Sequence, residues 1–354
     1  MIKIAVDAMG GDFAPAEQVK GSVVALEKDK DLSLILVGDE PQIKAELSKY
    51  QYDTSRIEIV HTTEVITMEE EPAKAVKLKK DSSTVVAFNL LKEDKADGLV
   101  SSGSTGAVLS AGVIKLGRIK GISRPALCPL IPNARGGATL LCDCGANLEC
   151  KPVNFVHFAL MATAYAQATY GIKTPKVGLL NNGTEDHKGD LIHQEANALL
   201  KQVPCIDYMG NVEGRDIMYS DADVVVSDGF TGNIAMKAIE GCGKTVSAVL
   251  KQQFGKNLFN KLRYLLVKDL VGGIRTTLDY ERVGGAMFLG MPKAVVKGHG
   301  NSKAKGFAAC IAQAADAVRG GMVEKIKAML AQLDEQAKQA EAASVAAAQT
   351  QQAE

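Results

Sequence analysis

The sequence has no surplus of either charge. Lys plus Arg (41) equals Asp plus Glu (41) over 354 residues, so no global field draws it to nucleic acid, and any basic surface must be local. No run of about 18 apolar residues occurs, which excludes a spanning helix. The opening MIKIAVDAMGG lacks the basic region and long apolar core of a signal peptide; a cytosolic protein is expected. The cysteine count, seven, is odd and scattered, and cytosolic thiols stay reduced. Cys142, Cys144 and Cys150 lie close together, but CxC plus one more matches no standard zinc pattern. Cys142 and Cys144 flank Asp143 at a strand end, where Cys packs as a small hydrophobe.

Three catalytic signatures are missing too. Gly241-Cys242-Gly243-Lys244-Thr245 ends like a P-loop, but the required first glycine is Ala238, and the segment reads as helix. No GxGxxG opens a first helix, and Gly298-His299-Gly300 lacks the third glycine, so a Rossmann dinucleotide site is not expected. No Ser or Cys occupies a GxSxG elbow.

What is present is one theme, repeated. Hydrophobic residues make up 46% and charged residues 23%, a globular composition, with length for one large or two ordinary domains. Short apolar strands run into polar, glycine-bearing loops and then helices. Ile2–Val6 leads to Asp7–Asp12, with Gly10 and Gly11; Gly98–Val100 leads to Ser101–Ala107. Thr139–Leu141 leads to Asp143–Asn147, and Asp223–Val226 to Ser227–Asn233, with a helix from Ile234. The alternation is the βαβ signature of a mostly parallel α/β sheet, in which ligands collect beyond the carboxyl ends of the strands.

The densest of these loops is in KVGLLNNGTEDHKGD, residues 176–190. It offers amide donors, a backbone free to approach a ligand at Gly183 and Gly189, two carboxylates, the His187 imidazole and the Lys188 ammonium. Ser102, Gly103, Ser104 and Thr105 form a second polar loop: hydroxyls and orphan amides at a helix N-terminus hold a phosphate or simply cap the helix. Residues 69–80 read as a solvated helix with acidic head and basic tail, in line with the macrodipole. Lys151-Pro152 opens a long core helix to about Tyr170. From Ala331 the last 24 residues are rich in Ala and Gln and read as fraying beyond the last packed helix.

Residues 251–275 hold six Lys or Arg against one acid, Asp269. Phe254, Leu258, Leu262, Leu265 and Leu266 follow helical spacing, and Phe259 widens the stripe. Two readings stand: a core-facing helix with a basic exterior, or a protruding apolar-basic element, bracketed by Gly255 and Gly272-Gly273, that meets an acidic carrier or an anionic membrane.

Six of the strand-end motifs, DAMGGDFAP (7–15), SSGSTGA (101–107), CDCGAN (142–147), NNGTEDHKG (181–189), GNVEGRD (210–216) and SDGFTGN (227–233), resemble in their order the bacterial phosphate acyltransferase family over residues 1–330. Cys142 and Cys144 depart from the aliphatic residues expected there. The resemblance implies a three-layer α/β/α fold like that of phosphotransacetylases and isocitrate/isopropylmalate dehydrogenases, with two lobes around a cleft, in a homodimer. It implies transfer of a long-chain acyl group from acyl carrier protein to inorganic phosphate at the cytoplasmic membrane surface. The product passes to a membrane-embedded glycerol-3-phosphate acyltransferase, and no organic cofactor or metal is needed.

On that chemistry, Lys188, Asp228, His187 and Asn233 are the catalytic candidates. Lys188 would charge-stabilise phosphate or the oxyanion, and Asp228 would orient it or accept a proton. Asn233 would donate to the oxyanion, and His187 would protonate the thiolate or serve only the loop. Asp7, Gly10, Gly11, Ser102, Gly103, Ser104, Thr105, Asn182, Gly183, Thr184, Thr231 and Gly232 are the substrate-binding candidates. Phe254, Lys256, Leu258, Phe259, Leu262, Arg263, Leu266 and Lys268 would meet the carrier or the membrane. Two rivals are a phosphotransacetylase using acetyl-coenzyme A and a non-catalytic lipid or carrier-protein binding module.

Overall fold

Largely apolar runs of three to seven residues, too short for helices and mostly buried, become the strands of two sheets. The computed structural model describes residues 1–277 and 284–351. The first lobe comprises β1 (Ile2–Asp7), α1 (Ala16–Lys28), β2 (Leu32–Gly38), α2 (Glu40–Leu47), β3 (Ile57–His61), α3 (Pro72–Leu78), α4 (Ser83–Lys92), β4 (Gly98–Ser101), α5 (Thr105–Lys115) and β5 (Ala126–Cys128). The chain then crosses to the second: β6 (Leu130–Pro132), β7 (Ala138–Cys142), α6 (Pro152–Thr169), β8 (Lys176–Asn181), α7 (Leu191–Leu200), β9 (Asp207–Glu213) and β10 (Val224–Val226). A helical pair, α8 (Gly229–Gly255) and α9 (Leu258–Thr277), precedes β11 (Ala286–Leu289), β12 (Ala294–Lys297), α10 (Ala304–Arg319) and α11 (Met322–Gln351).

The larger sheet runs β3-β2-β1-β4-β12-β11-β5 and the smaller β6-β7-β10-β8-β9. Pairing is parallel except at β11, with both its neighbours, and at β6. Ile4 and Val6 face a core shared with α1 and α10, whereas Ala5 faces one shared with α4 and α5. Helices therefore cover both faces of the large sheet. α6 carries Phe155, Phe158 and Tyr165 with no exposure, and it packs on β7, β10 and β11, tying the lobes to one core.

Strand order reverses beside β1 in the large sheet and beside β8 in the small one. These are the positions where loops part and leave a crevice. The loops after β1 and β4 open there in the first lobe, and that after β10 faces them from the second.

Several expectations are corrected. Ala126–Cys128 and Leu130–Pro132, though nearly contiguous, are strands of different sheets, with Pro129 at the crossing. α3 starts at Pro72, so the acids of residues 69–71 precede it; Pro suits the first turn, where no N–H is needed. Gly210–Glu213 belong to β9 and not to a loop, past a register shift at Val177/Gly178 that accommodates Gly210 at φ +100°. α8 begins at Gly229 and not at Ile234, because the Asp228 side chain caps it by accepting from the Thr231 N–H at 2.8 Å. α11 continues to Gln351 where fraying was expected, in keeping with the high helix propensity of Ala, Glu and Gln.

Residues 251–275 are not one helix. The chain turns at Lys256-Asn257, so Phe254 sits on α8 and the rest of the stripe on α9; Gly255 lies at the tip of the hairpin. Only Gly229 and Gly232 of α8 are buried, so a helix about 40 Å long at 1.5 Å per residue stands largely clear of the lobes. Among the described residues no helix is long and apolar enough to cross a membrane.

Candidate active site

A cavity of about 430 Å³ opens between the lobes. Its polar side is made of Gly103 and Thr105 after β4, Asn233 and Lys237 on α8, and Lys297, His299 and Ser302 after β12. Its apolar side is made of Leu127 on β5, Leu130–Pro132 on β6, Met218, and Met236 and Ile239 on α8. The chain crossing at Pro129 explains the juxtaposition: one short segment supplies a strand to each sheet and lines the space between them.

Each lobe holds its cavity loop with a buried carboxylate. In the first, Asp7 accepts from Thr84 Oγ1 at 2.8 Å and Ser101 Oγ at 2.7 Å, and Ser101 Oγ in turn accepts from the Gly103 N–H at 3.1 Å. A Cβ on Gly10 would lie 2.7 Å from the Gly103 nitrogen, so glycine there lets the two loops touch. Asp7 is fully buried; it shapes the loops and does not reach the cavity.

In the second lobe Asp143 Oδ1 accepts from the N–H groups of Leu127, Cys144 and Ala146, and Oδ2 from the Asn147 N–H and Nδ2. Burial pushes this carboxyl above its ordinary value and the N–H donors act against the rise. Five donors and no acceptor facing the two oxygens require the carboxylate form. Gly229 and Gly232 of α8 press against the same loop, which places Asn233, Met236 and Lys237 on the cavity wall.

Helix α5 points its N-terminus at the cavity. The Ser104 side chain makes no capping hydrogen bond, which leaves the first amides of the helix for an anion. Beside them Ser102 Oγ is buried without a hydrogen-bond partner among the described residues, and Lys297 is 8% exposed. Burial lowers the Lys297 ammonium to about 8, and burial likewise depresses His299. Among the described residues Cys144 is the one thiol on the lining, and burial pushes it far above its ordinary value; it is a poor nucleophile.

The loop after β8 lies elsewhere. Asn182 Oδ1 accepts from the Gly189 N–H at 3.0 Å, and Asn181 Nδ2 donates to the Lys188 carbonyl at 3.2 Å, so the loop closes on itself. Gly183 is buried under the Lys188 stem, whereas Asn182, Thr184 and His187 are exposed. Asp186 pairs with Lys201 at 2.6 Å. None of Asn182, Gly183, Thr184, His187 and Lys188 lines the cavity. Asp228 is occupied as the α8 cap, its other oxygen 3.7 Å from His193 Nε2; no Lys188 contact with it occurs among the described residues. Of the remaining candidates, Gly103, Thr105 and Asn233 line the cavity, Gly10, Gly11, Ser102, Ser104 and Gly232 stand behind it, and Thr231 is exposed.

Lys237, Lys297 and His299 were not among the candidates read from sequence. Lys297–Ser302 repeats the strand-end pattern of the other loops, so the signal existed; what local sequence does not carry is that β12 inserts beside β4, with Lys297 opposite Ser101.

On the hairpin, Phe259, Leu262, Leu265, Leu266 and Leu270 all face solvent, Leu266 at 87% exposure. Lys256, Arg263 and Lys268 are exposed among them, with the Arg263 guanidinium 4.2 Å over the Phe259 ring. Phe254 is half-buried against Tyr264, ring centroids 5.2 Å apart. The Leu258 side chain lies outside the described residues. A core-facing role for this stripe is overturned.

Two lobes of mostly parallel α/β structure around a strand-end cleft define an enzyme fold of the phosphotransacetylase kind. A phosphotransacetylase from Streptococcus pyogenes matches with TM-score 0.59 at 18% identity, over 90% of this chain and 94% of that one. A branched-chain phosphotransacylase from Enterococcus faecalis V583 matches with TM-score 0.57 at 16% identity, over 90% and 99%. At those identities the likeness shows the fold alone. A family model described as "Fatty acid synthesis protein" matches residues 2–325, and the chain belongs to that family. Its relatives include proteins named phosphate acyltransferase. That of Clostridioides difficile (strain 630) is 42% identical over 337 residues, 95% of this chain and 98% of the relative. That of Dictyoglomus turgidum is 47% identical over 304 residues, 86% and 90%. The chain is accordingly an enzyme, an acyltransferase.

Proposed function

We propose that this enzyme moves a long-chain acyl group from the thioester of acyl carrier protein to inorganic phosphate, giving an acyl phosphate for phospholipid synthesis. The observation that carries this reading is the division of one cavity into an anion-binding side and an apolar side. A phosphate oxygen attacks the thioester carbonyl, the C–O bond forms, and the C–S bond breaks. The departing thiolate takes the electron pair and then the proton that phosphate gives up. Thiolates leave readily, so no dedicated acid is required.

Backbone amides at the start of α5 grip phosphate, and the Asn233 amide donates to the oxyanion, a contact worth about 3 kcal/mol in comparable sites. Lys188 lies off the cavity lining; in this reading it acts from the loop after β8 on the thioester side only once the acyl donor is bound. The protonated state of the Cys144 thiol supports direct attack over an acyl-enzyme. The exposed basic-apolar face of α9 supports docking of an acidic carrier protein and contact with an anionic cytoplasmic membrane surface, where a membrane-embedded glycerol-3-phosphate acyltransferase would take the product. A homodimer belongs to the same reading.

The test is thiol release from long-chain acyl carrier protein with and without phosphate, with acetyl-coenzyme A in parallel and Lys188→Ala as the variant. Phosphate-dependent release from the carrier, reduced in the variant, supports the reading. Turnover of acetyl-coenzyme A alone would make the enzyme a phosphotransacetylase, and binding without turnover would leave a binding module.

A further inference from the structure

We infer that Lys297 is the counter-ion that binds inorganic phosphate, holding it against the N-terminus of α5. The inference rests on the reading above and adds a residue that neither the motifs nor the relatives' names assign. Lys297 ends β12 directly beside Ser101 at the end of β4, and it lines the cavity with Gly103 and Thr105. An ammonium has three N–H donors. Here one is taken by the Gly298 carbonyl, and among the described residues no carboxylate forms an ion pair with it. Burying a cation without a paired anion is expensive, which makes sense where an anionic substrate completes the pair. The uncapped amides of α5 and the fully buried Ser102 Oγ, unpartnered among the described residues, stand at the same place. A Cβ on Gly298 would sit 2.4 Å from that hydroxyl, so glycine keeps lysine and serine within one small space. Amides and an ammonium on one wall, with the Ser102 hydroxyl buried directly behind them, suit a tetrahedral oxyanion.

The groups facing Lys297 fix its response to pH. Asp12 from the loop after β1 and Asp7 from β1 favour the charged form, while Lys237 on α8 opposes it; Cys310 on α10, pushed up to about 12 by burial, is an uncharged thiol in this range. Glu240 on α8 and His299 share the cavity lining; β4 and β11 present no titratable side chain opposite it, only Ser101 and Ala286. Burial outweighs these and brings the free ammonium to about 8. Lys297 is charged below that value and neutral above it, so phosphate affinity falls as pH rises through it.

The experiment is calorimetric titration of the full chain with inorganic phosphate, without acyl donor, across about pH 7 to about 9.5, with phosphate and acyl-donor KM measured in the thiol-release assay. In the wild type, phosphate affinity is expected to weaken by about 30-fold over that range. Lys297→Met is expected to weaken phosphate on the order of 100-fold while leaving the acyl-donor KM nearly unchanged. Lys297→Arg is expected to keep binding and to lose the pH dependence, because guanidinium stays charged. If Lys297→Met does not fold, the pH profiles of wild type and Lys297→Arg decide. Phosphate binding unaltered in folded Lys297→Met, or the same pH profile in Lys297→Arg, overturns the inference and leaves phosphate-dependent turnover standing. Thiol release independent of phosphate in the wild type removes the functional reading itself.

Discussion

A Cβ on Gly232 would lie 2.1 Å from the carbonyl oxygen of Asp143. That contact joins the first turn of α8 to the β7 loop, and neither backbone can move without disturbing the five N–H bonds to the Asp143 carboxylate. Gly232→Ala is therefore expected to cost about 3 kcal/mol, the upper end for overpacking, and to abolish thiol release. Gly241, farther along α8, would carry a Cβ with nothing within 4 Å of it, so Gly241→Ala is expected to stabilise by about 1 kcal/mol through helix propensity. Urea unfolding of the two variants checks both signs at once; a neutral Gly232→Ala would mean that the α8 start is not pinned as described.

The α7 N-terminus gives a prediction in pH. Asp190 caps that helix and is held below its ordinary 3.8 by hydrogen bonds from the His193 backbone N–H and then the His193 ring. A depressed carboxylate contributes stability that is present above the unfolded value of 3.8 and is lost as pH falls through the lower folded value. Asp190→Asn, which still caps, is expected to flatten the stability curve below about pH 4. Asp190→Ala is expected to lose about 1 kcal/mol at neutral pH. Thermal unfolding from neutral to acid pH separates these; an unchanged acid slope in Asp190→Asn would refute the assignment.

The parallel strands and the core helix α6 were legible because each is a local pattern: Leu34–Val37 is a continuous apolar run, and the Phe155, Phe158 and Tyr165 side chains recur on a helix of good formers. Four of the six family motifs fall on loops beside the cleft for the same reason, since a strand end with glycine and hydroxyls is a local feature; NNGTEDHKG lies away from the cavity and GNVEGRD falls largely on β9. Pairing between distant strands is not. Nothing near Pro129 tells that Leu127 and Ile131 enter different sheets, and nothing near Lys297 tells that it lands beside Ser101. The Asp228 cap was missed because Gly229 and Gly232 read as loop residues; they start a helix because only glycine fits against Asp143.

The exposed α9 face predicts a separation of stability from association. Leu262 and Leu266 are 61% and 87% exposed, so Leu262→Glu with Leu266→Glu should change unfolding free energy by no more than about 0.5 kcal/mol. Binding to anionic vesicles should fall with the loss of apolar area and of attraction to the Lys and Arg around it. Sedimentation with vesicles of mixed anionic and zwitterionic lipid checks this, with soluble acyl carrier protein as the second partner. Unaltered binding to both would remove the docking role from α9.

Met236 tests the apolar side of the cavity. It stands on α8 one residue from Lys237, its Sδ 3.5 Å from Cys144 Sγ, and it lines the wall together with Ile239 and Ile131. If the acyl chain lies along that wall, Met236→Trp excludes about three methylenes, and at about 0.8 kcal/mol for each the cost is on the order of 50-fold in kcat/KM for a long-chain donor. A short-chain donor avoids the wall and should keep its rate, and phosphate KM should not move, because the anion site is built from α5 and β12. Met236→Leu conserves volume and should behave as wild type. Rates measured against donors of increasing length give the decisive shape: a break at one chain length places the chain along α8, whereas a uniform loss at every length would mean that Met236 only supports the fold.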